Sequence, residues 1–190
     1  FEADHLVAVG NIVTRRDKLH LAAKDGIFWG LGHTSTILLI GLVLIVGKAT
    51  FLDGYFGYFE AVVGLMLLGL GIVRLWQVRP AYQNSKPQSL INTQKNHHLA
   101  YGVGLIHGLA GSGAMILLVM TEIQGAWSSI IYLLIFGLGS AVGMLVAAGI
   151  FSFPFSRSIT ESKQLQMGLT LLSALLCIGY GLYIFKENLF

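Results

Sequence analysis

The sequence predicts an all-α polytopic membrane protein of about six transmembrane helices, and three observations carry that expectation. Hydrophobic residues make up 55% of the 190 residues and charged residues only 11%, against about 25% charged in an ordinary soluble domain. Apolar runs of spanning length recur along the chain, and the basic residues between them fall almost wholly on one side. No stretch is left over for a soluble domain, so residues 1–190 read as a single transmembrane domain.

The first apolar stretch reaches Arg15 after 14 residues, short of the ~20 that a spanning helix needs. It reads as the remainder of a helix whose start precedes Phe1. A signal peptide would not carry Glu2, Asp4 and His5 in its apolar region. Runs at 26–47, 54–77, 99–121, 126–153 and 165–185 follow, which brings the expected spans to six. Between them the connections are short except for 78–98, VRPAYQNSKPQSLINTQKNHH. Pro80, Pro87 and the polar residues there predict an exposed linker between halves 1–77 and 99–187.

Assigning loops alternately to two sides gives one side Arg15, Arg16, Lys18, Lys24, Arg74, Arg79, Lys86, Lys95, Arg157 and Lys163, and the other Lys48 and Lys186. Ten against two predicts cytoplasmic basic loops, with both termini across a bacterial inner membrane or a plastid-type membrane. These residues are expected to orient the chain and meet lipid headgroups, so the net charge of +3 implies no nucleic-acid partner. Cys177 is the single cysteine and cannot form an internal disulfide.

FWGLGHTSTILLIGLVLI at 28–45 resembles IFGLGSAVGMLVAAGI at 135–150, matching Gly30-Leu31-Gly32-His33 to Gly137-Leu138-Gly139-Ser140. Three spans per half would make the halves an inverted 3+3 repeat with a site near the midplane between them. Chance similarity among glycine-rich helices accounts for the match equally well.

Ionisable groups at membrane depth are costly and mark binding sites or pathways. Asp4 and His5, with Glu2 one turn before His5, offer oxygen and imidazole ligands in a small volume, a mixture suited to a divalent first-row metal. The competing reading puts Glu2 and Asp4 in water at a helix N-terminus. His33 lies about eight residues into its run, below the headgroups. Thr34, Ser35 and Thr36 beside it can bond their own backbone or fix its tautomer. The bland alternative is a hydrogen-bonded core histidine.

His107 is similarly deep and precedes Gly108, Gly111, Ser112 and Gly113, either a locally opened helix or, with Gly104, a close-packing face. Glu60 could complete a cation site or sit at the interface. His97 and His98 read as an interfacial pair and Met115 as core filler.

Glu2-Ala3-Asp4-His5, Arg15-Arg16 and Gly30-Leu31-Gly32-His33-Thr34 together resemble the nickel/cobalt transporter superfamily, most closely its short UreH-like transmembrane branch. The family's first motif is a histidine, four residues, then Asp-His. Asp4 and His5 match its end, and its first histidine would fall two places before Phe1. Leu31, Gly32, His33, Thr34 and Ser35 match the second motif, and HGLAGSGA at 107–114 is similar to the shorter branch. The resemblance implies that Asp4, His5 and His33 bind a transported ion, nickel or cobalt. The later Asp-Thr-Ala-Thr-Glu motif of the larger permeases is missing, with His107 and Ser112 on the comparable helix.

The resulting expectation is a carrier for a divalent transition-metal cation, with Asp4, His5, His33 and His107 as ligands and Glu2 and Glu60 as weaker candidates. The bilayer and the ion are its expected partners, a homo-oligomer or other membrane subunits are open, and no permanent cofactor is expected. The main alternative is a non-transporting membrane assembly or accessory subunit whose polar residues serve helix packing, including a Gly139-xxx-Gly143 face. A membrane-embedded enzyme using a histidine-carboxylate metal site for hydrolysis or oxidation ranks third, because such sites need more ligands than this sequence offers in regular pairs; no nucleophile elbow, P-loop or HExxH helix is present either.

Overall fold

A computed structural model describes residues 3–13, 16, 19–47, 56–83, 97–110, 125–152 and 163–189. Six helices make up the described residues: α1 Ala3–Val13, α2 Leu19–Gly47, α3 Phe56–Gln83, α4 His98–Ala110, α5 Ala126–Ser152 and α6 Lys163–Leu189. Four of them, α2, α3, α5 and α6, contain stretches long and apolar enough to cross a membrane. Their outward faces carry Leu39, Leu42, Leu65, Trp76, Trp127, Ile135, Leu138, Leu172 and Leu182, all exposed. A perimeter of large apolar side chains suits lipid and would be costly in water.

Small residues decide which helices meet. Helices α2 and α5 run antiparallel, with Gly30 against Ala141, Gly26 against Ala148 and Gly137 against Thr34. Thr34 Oγ1 donates to the carbonyl of Gly137 at 2.9 Å, tying the two helices at that contact. In the same antiparallel manner α3 meets α6, with Gly64 against Gly181 and Gly71 against Ala174 and Cys177. Close backbone approach of this kind is the usual basis of helix association in lipid.

Helix α4 runs parallel to α2 and almost touches it. A Cβ on Gly32 would run into the Tyr101 carbonyl oxygen, and one on Gly104 into that of Trp29. The close-packing reading of Gly104 and Gly108 therefore holds, while Gly111, Ser112 and Gly113 lie outside the described residues. The face Gly139-xxx-Gly143 packs against no helix of this chain at Gly139, which is exposed and where a Cβ would meet nothing within 4 Å. On α5 the packed stripe is instead Gly137, Ala141, Met144 and Ala148.

Helix α1 lies inside the bundle against α5 and α6, as α4 lies against α2 and α3. Its residues Ala8, Val9 and Ile12 join Trp29, Leu67, Met144 and Cys177 in the main core. Cys177 is buried and its thiol donates to the Val7 carbonyl at 3.4 Å.

Several boundaries differ from expectation. Helix α3 continues to Gln83 rather than ending at 77, so Arg79 and Pro80 belong to the helix and not to the linker. Helix α2 starts at Leu19 rather than 26, so Lys24 and Asp25 belong to the helix and not to a loop. Asp25 is tolerated there because Arg16 and His97 partner it. Helix α4 is described only as far as Ala110, and the rest of the expected 99–121 span lies outside the described residues.

Candidate metal centre

Three helices each bring at least one ionisable side chain to one buried point. Asp4 and His5 stand in the first turn of α1, His33 sits midway along α2, and His107 is near the described end of α4. All four are buried, with 7%, 7%, 3% and 0% exposure respectively. The rings of His5 and His107 are 4.6 Å apart between centroids, and those of His5 and His33 are 5.4 Å apart, edge to face.

Convergence follows from the glycine contacts already described. A Cβ on Gly108 would lie 2.5 Å from the His33 carbonyl oxygen, so a bulkier residue next to His107 would push α4 away from α2. Gly104 permits the same close approach a helical turn earlier, under Trp29. The glycines thus set the separation of two imidazoles.

Hydrogen bonds then orient the rings. The Nδ1 of His107 faces the Val103 carbonyl at 3.2 Å. A carbonyl only accepts, so Nδ1 carries the hydrogen in the neutral ring and Nε2 carries the lone pair. That Nε2 has no hydrogen-bond partner and stands 3.5 Å from Asp4 Oδ2. Asp4 Oδ1 accepts from the His5 backbone N–H at 2.8 Å and lies 3.0 Å from His5 Nδ1. A carboxylate accepting from Nδ1–H fixes the tautomer of the His5 ring.

One ligand atom from each of Asp4, His5 and His107 falls within 4.8 Å of the others. Metal–ligand bonds of about 2.0–2.2 Å put two atoms on one ion up to about 4 Å apart. Gathering the three atoms on one ion would require the side chains to draw together. His33 stands beside this trio rather than within it, and its buried Nδ1 has no hydrogen-bond partner.

The hydroxyls next to His33 do not bond its ring. Ser35 Oγ donates to Leu31 O, Thr36 Oγ1 contacts Gly32 O and Leu105 O, and Thr34 reaches Gly137. Thr34 and Thr36 fasten α2 to α5 and α4, Ser35 bonds its own helix backbone, and the tautomer-fixing alternative is set aside. Glu2 lies outside the described residues. Glu60 is exposed and is not gathered into the cluster. It lines a cleft of about 370 Å³ together with Asp4, Tyr183, Glu187 and Asn188. Asp4 therefore belongs both to the buried cluster and to the wall of an open cleft.

A second buried charge cluster gave no signal in the sequence. Arg16 Nε donates to Asp25 Oδ2 at 2.5 Å and its NH2 group to Oδ1 at 2.7 Å. His97 Nδ1 meets Asp25 Oδ1 at 2.6 Å, and its ring stacks on Phe28. Arg16, expected to orient the chain at the lipid headgroups, is only 6% exposed. His97 and His98 are not an equivalent interfacial pair, since His97 is partnered and His98 is exposed. Along α2 this cluster is eight residues from His33, about 12 Å at 1.5 Å per residue.

Comparison with known proteins decides the family. The chain is 34% identical over 170 residues to urease accessory protein UreH of Bacillus sp. (strain TB-90), covering 85% of this chain and 75% of that protein. The chain belongs to the UreH-like branch of the nickel/cobalt transporter superfamily. It is also 24% and 25% identical to the Chloroplast proteins FOR GROWTH AND FERTILITY 2 and 1 of Arabidopsis thaliana, over 98% and 94% of its own length. It spans about half the length of those two, 52% and 53%. No family model and no solved structure matches. The resemblance carried by the Asp4-His5 and Leu31-Gly32-His33 motifs is thus matched by similarity along most of this UreH-like chain.

Proposed function

We propose that this protein carries a divalent first-row transition-metal cation, nickel or cobalt, across a membrane through a site built from Asp4, His5, His33 and His107. The observation that carries the reading is the close approach of His107 Nε2 and Asp4 Oδ2, 3.5 Å apart, with Nε2 bearing the lone pair of the neutral ring. Two electron-rich atoms placed so repel each other unless a cation lies between them or a proton joins them. Mixed imidazole and carboxylate ligands select against Mg²⁺ and Ca²⁺, which prefer all-oxygen shells.

A route follows from the two ends of the bundle. The cleft between Glu60, Glu187 and Asp4 gives access to the ion site from one end. At the other end Arg16, Asp25 and His97 close the bundle around a buried charge cluster. The bias of the basic residues supports placing the closed end in the cytoplasm, with the cleft on the far side. Six spans in an inverted 3+3 arrangement fit the packing, because α1 crosses to α5 and α6 while α4 crosses to α2 and α3. Rocking of the halves would then open each end in turn.

The name of the bacterial relative, a urease accessory protein, favours a second reading: a membrane accessory subunit that binds the metal without moving it. Metal analysis of the purified protein, with anomalous scattering at the nickel edge, tests what both readings share. One ion per chain next to His5, His33 and His107 is expected. Absence of bound metal, or an ion elsewhere, contradicts the site.

A further inference from the structure

Trp29 is a donor without an acceptor at the wall of the candidate ion site. It is 1% exposed, and its Nε1 has no hydrogen-bond partner. The indole lies parallel to the His5 ring at 5.9 Å and 14°, and tilted against the His107 ring at 5.4 Å and 53°. It stands one helical turn before His33 on α2. Its Cδ1, the carbon bonded to Nε1, faces α4 at Gly104, where a Cβ would come within 2.8 Å. The N–H edge therefore lies towards the helix that bears His107.

The unpartnered ring nitrogens around this point are not equivalent. His33 Nδ1 and His107 Nε2 can each give a lone pair to a cation. The indole nitrogen only donates and cannot ligate a metal. A buried N–H is costly until it meets an acceptor. Once the lone pairs of His33 and His107 and the Asp4 carboxylate are given to a cation, an oxygen carried by that cation is the acceptor left for it. Resting on the ion-binding reading above, we infer that Trp29 holds a water molecule on the bound ion, so that the ion is carried only partly dehydrated. Four protein ligands leave a Ni²⁺ or Co²⁺ ion room for that water. Stacking on His5 makes Trp29 a positioning residue for the imidazole as well.

Cobalt(II) is the probe, because its d–d absorption reports coordination number and its X-ray absorption counts light-atom neighbours. Wild-type protein in detergent is expected to bind Co²⁺ with one oxygen ligand more than Asp4 provides. Deuterium ENDOR in D₂O should show the deuterons of a coordinated water. Trp29→Phe keeps the ring and removes the N–H. It should weaken Co²⁺ binding about tenfold, as loss of outer-shell partners typically does, and shift the d–d bands. Trp29→Leu, which also removes the stack on His5, should weaken it further. Wild-type ENDOR lacking water deuterons overturns the inference even if Trp29→Phe fails to fold. Identical affinity and bands in wild type and Trp29→Phe overturn it too. Both leave the ion site standing, whereas wild-type protein that binds no Co²⁺ overturns the ion-binding reading and this inference together.

Discussion

His107 Nε2 and Asp4 Oδ2 face each other at 3.5 Å inside the bundle, one from α4 and the other from α1. His107 is fully buried, and its other nitrogen is committed to Val103. Replacing His107 with Ala should therefore remove a ligand that no neighbouring side chain can substitute. We expect Ni²⁺ affinity to fall by about a hundredfold or more, beyond the 10–100-fold typical of outer-shell changes. Calorimetric titration checks this, with the exposed His98→Ala as a variant expected to bind normally.

Glycine at 104 and 108 should matter through geometry alone. Adding a Cβ at either drives it into a backbone oxygen of α2, that of Trp29 or of His33. Gly104→Ala and Gly108→Ala should each cost about 1–3 kcal/mol, the usual range for overpacking, and weaken metal binding as α4 is displaced. Gly139→Ala, with nothing within 4 Å, should be silent in thermal unfolding and in metal titration.

Asp25→Asn should destabilise the protein strongly. Arg16 is only 6% exposed and would lose its carboxylate partner. Breaking a buried pair from one side costs about 3–5 kcal/mol. Asp25→Asn combined with Arg16→Gln should recover some of that loss, since no buried charge then stands alone. Thermal midpoints of wild type and the two variants in one detergent decide the matter.

Bound metal should stabilise the folded chain by linkage. At a free Ni²⁺ concentration a hundred times Kd the gain is about 2.7 kcal/mol. A chelator should reverse the rise in unfolding temperature. His5→Ala with His33→Ala should abolish the response to metal and to chelator alike.

The candidate site was legible in the sequence to an unequal degree. Asp4, His5, His33 and His107 stood out because ionisable groups interrupt apolar helices at a cost; Asp4, His5 and His107 are gathered into one group, with the His33 ring beside His5. Glu60 stood out for the same reason but lies in the wall of the cleft, because its place near the start of α3 leaves it exposed. Trp29 gave no signal, since an aromatic residue in an apolar helix reads as core filling. Arg16 was hidden among neighbouring basic residues, and Asp25 beside Lys24 looked like the edge of a span. Only the approach of His97 from a residue 72 positions away reveals the cluster. Helix α2 consequently begins seven residues before the expected boundary at 26, a difference that charge neutralisation inside the bundle explains.

The central claim is that Asp4, His5, His33 and His107 move an ion rather than merely hold one. Uptake of Ni²⁺ and Co²⁺ into vesicles reconstituted with the purified protein tests it directly. Wild-type vesicles should accumulate the metal, and vesicles carrying His5→Ala with His33→Ala should fall to the level of protein-free vesicles. Uptake unchanged in the double variant, or absent from wild-type vesicles whose protein binds the metal, would contradict the account.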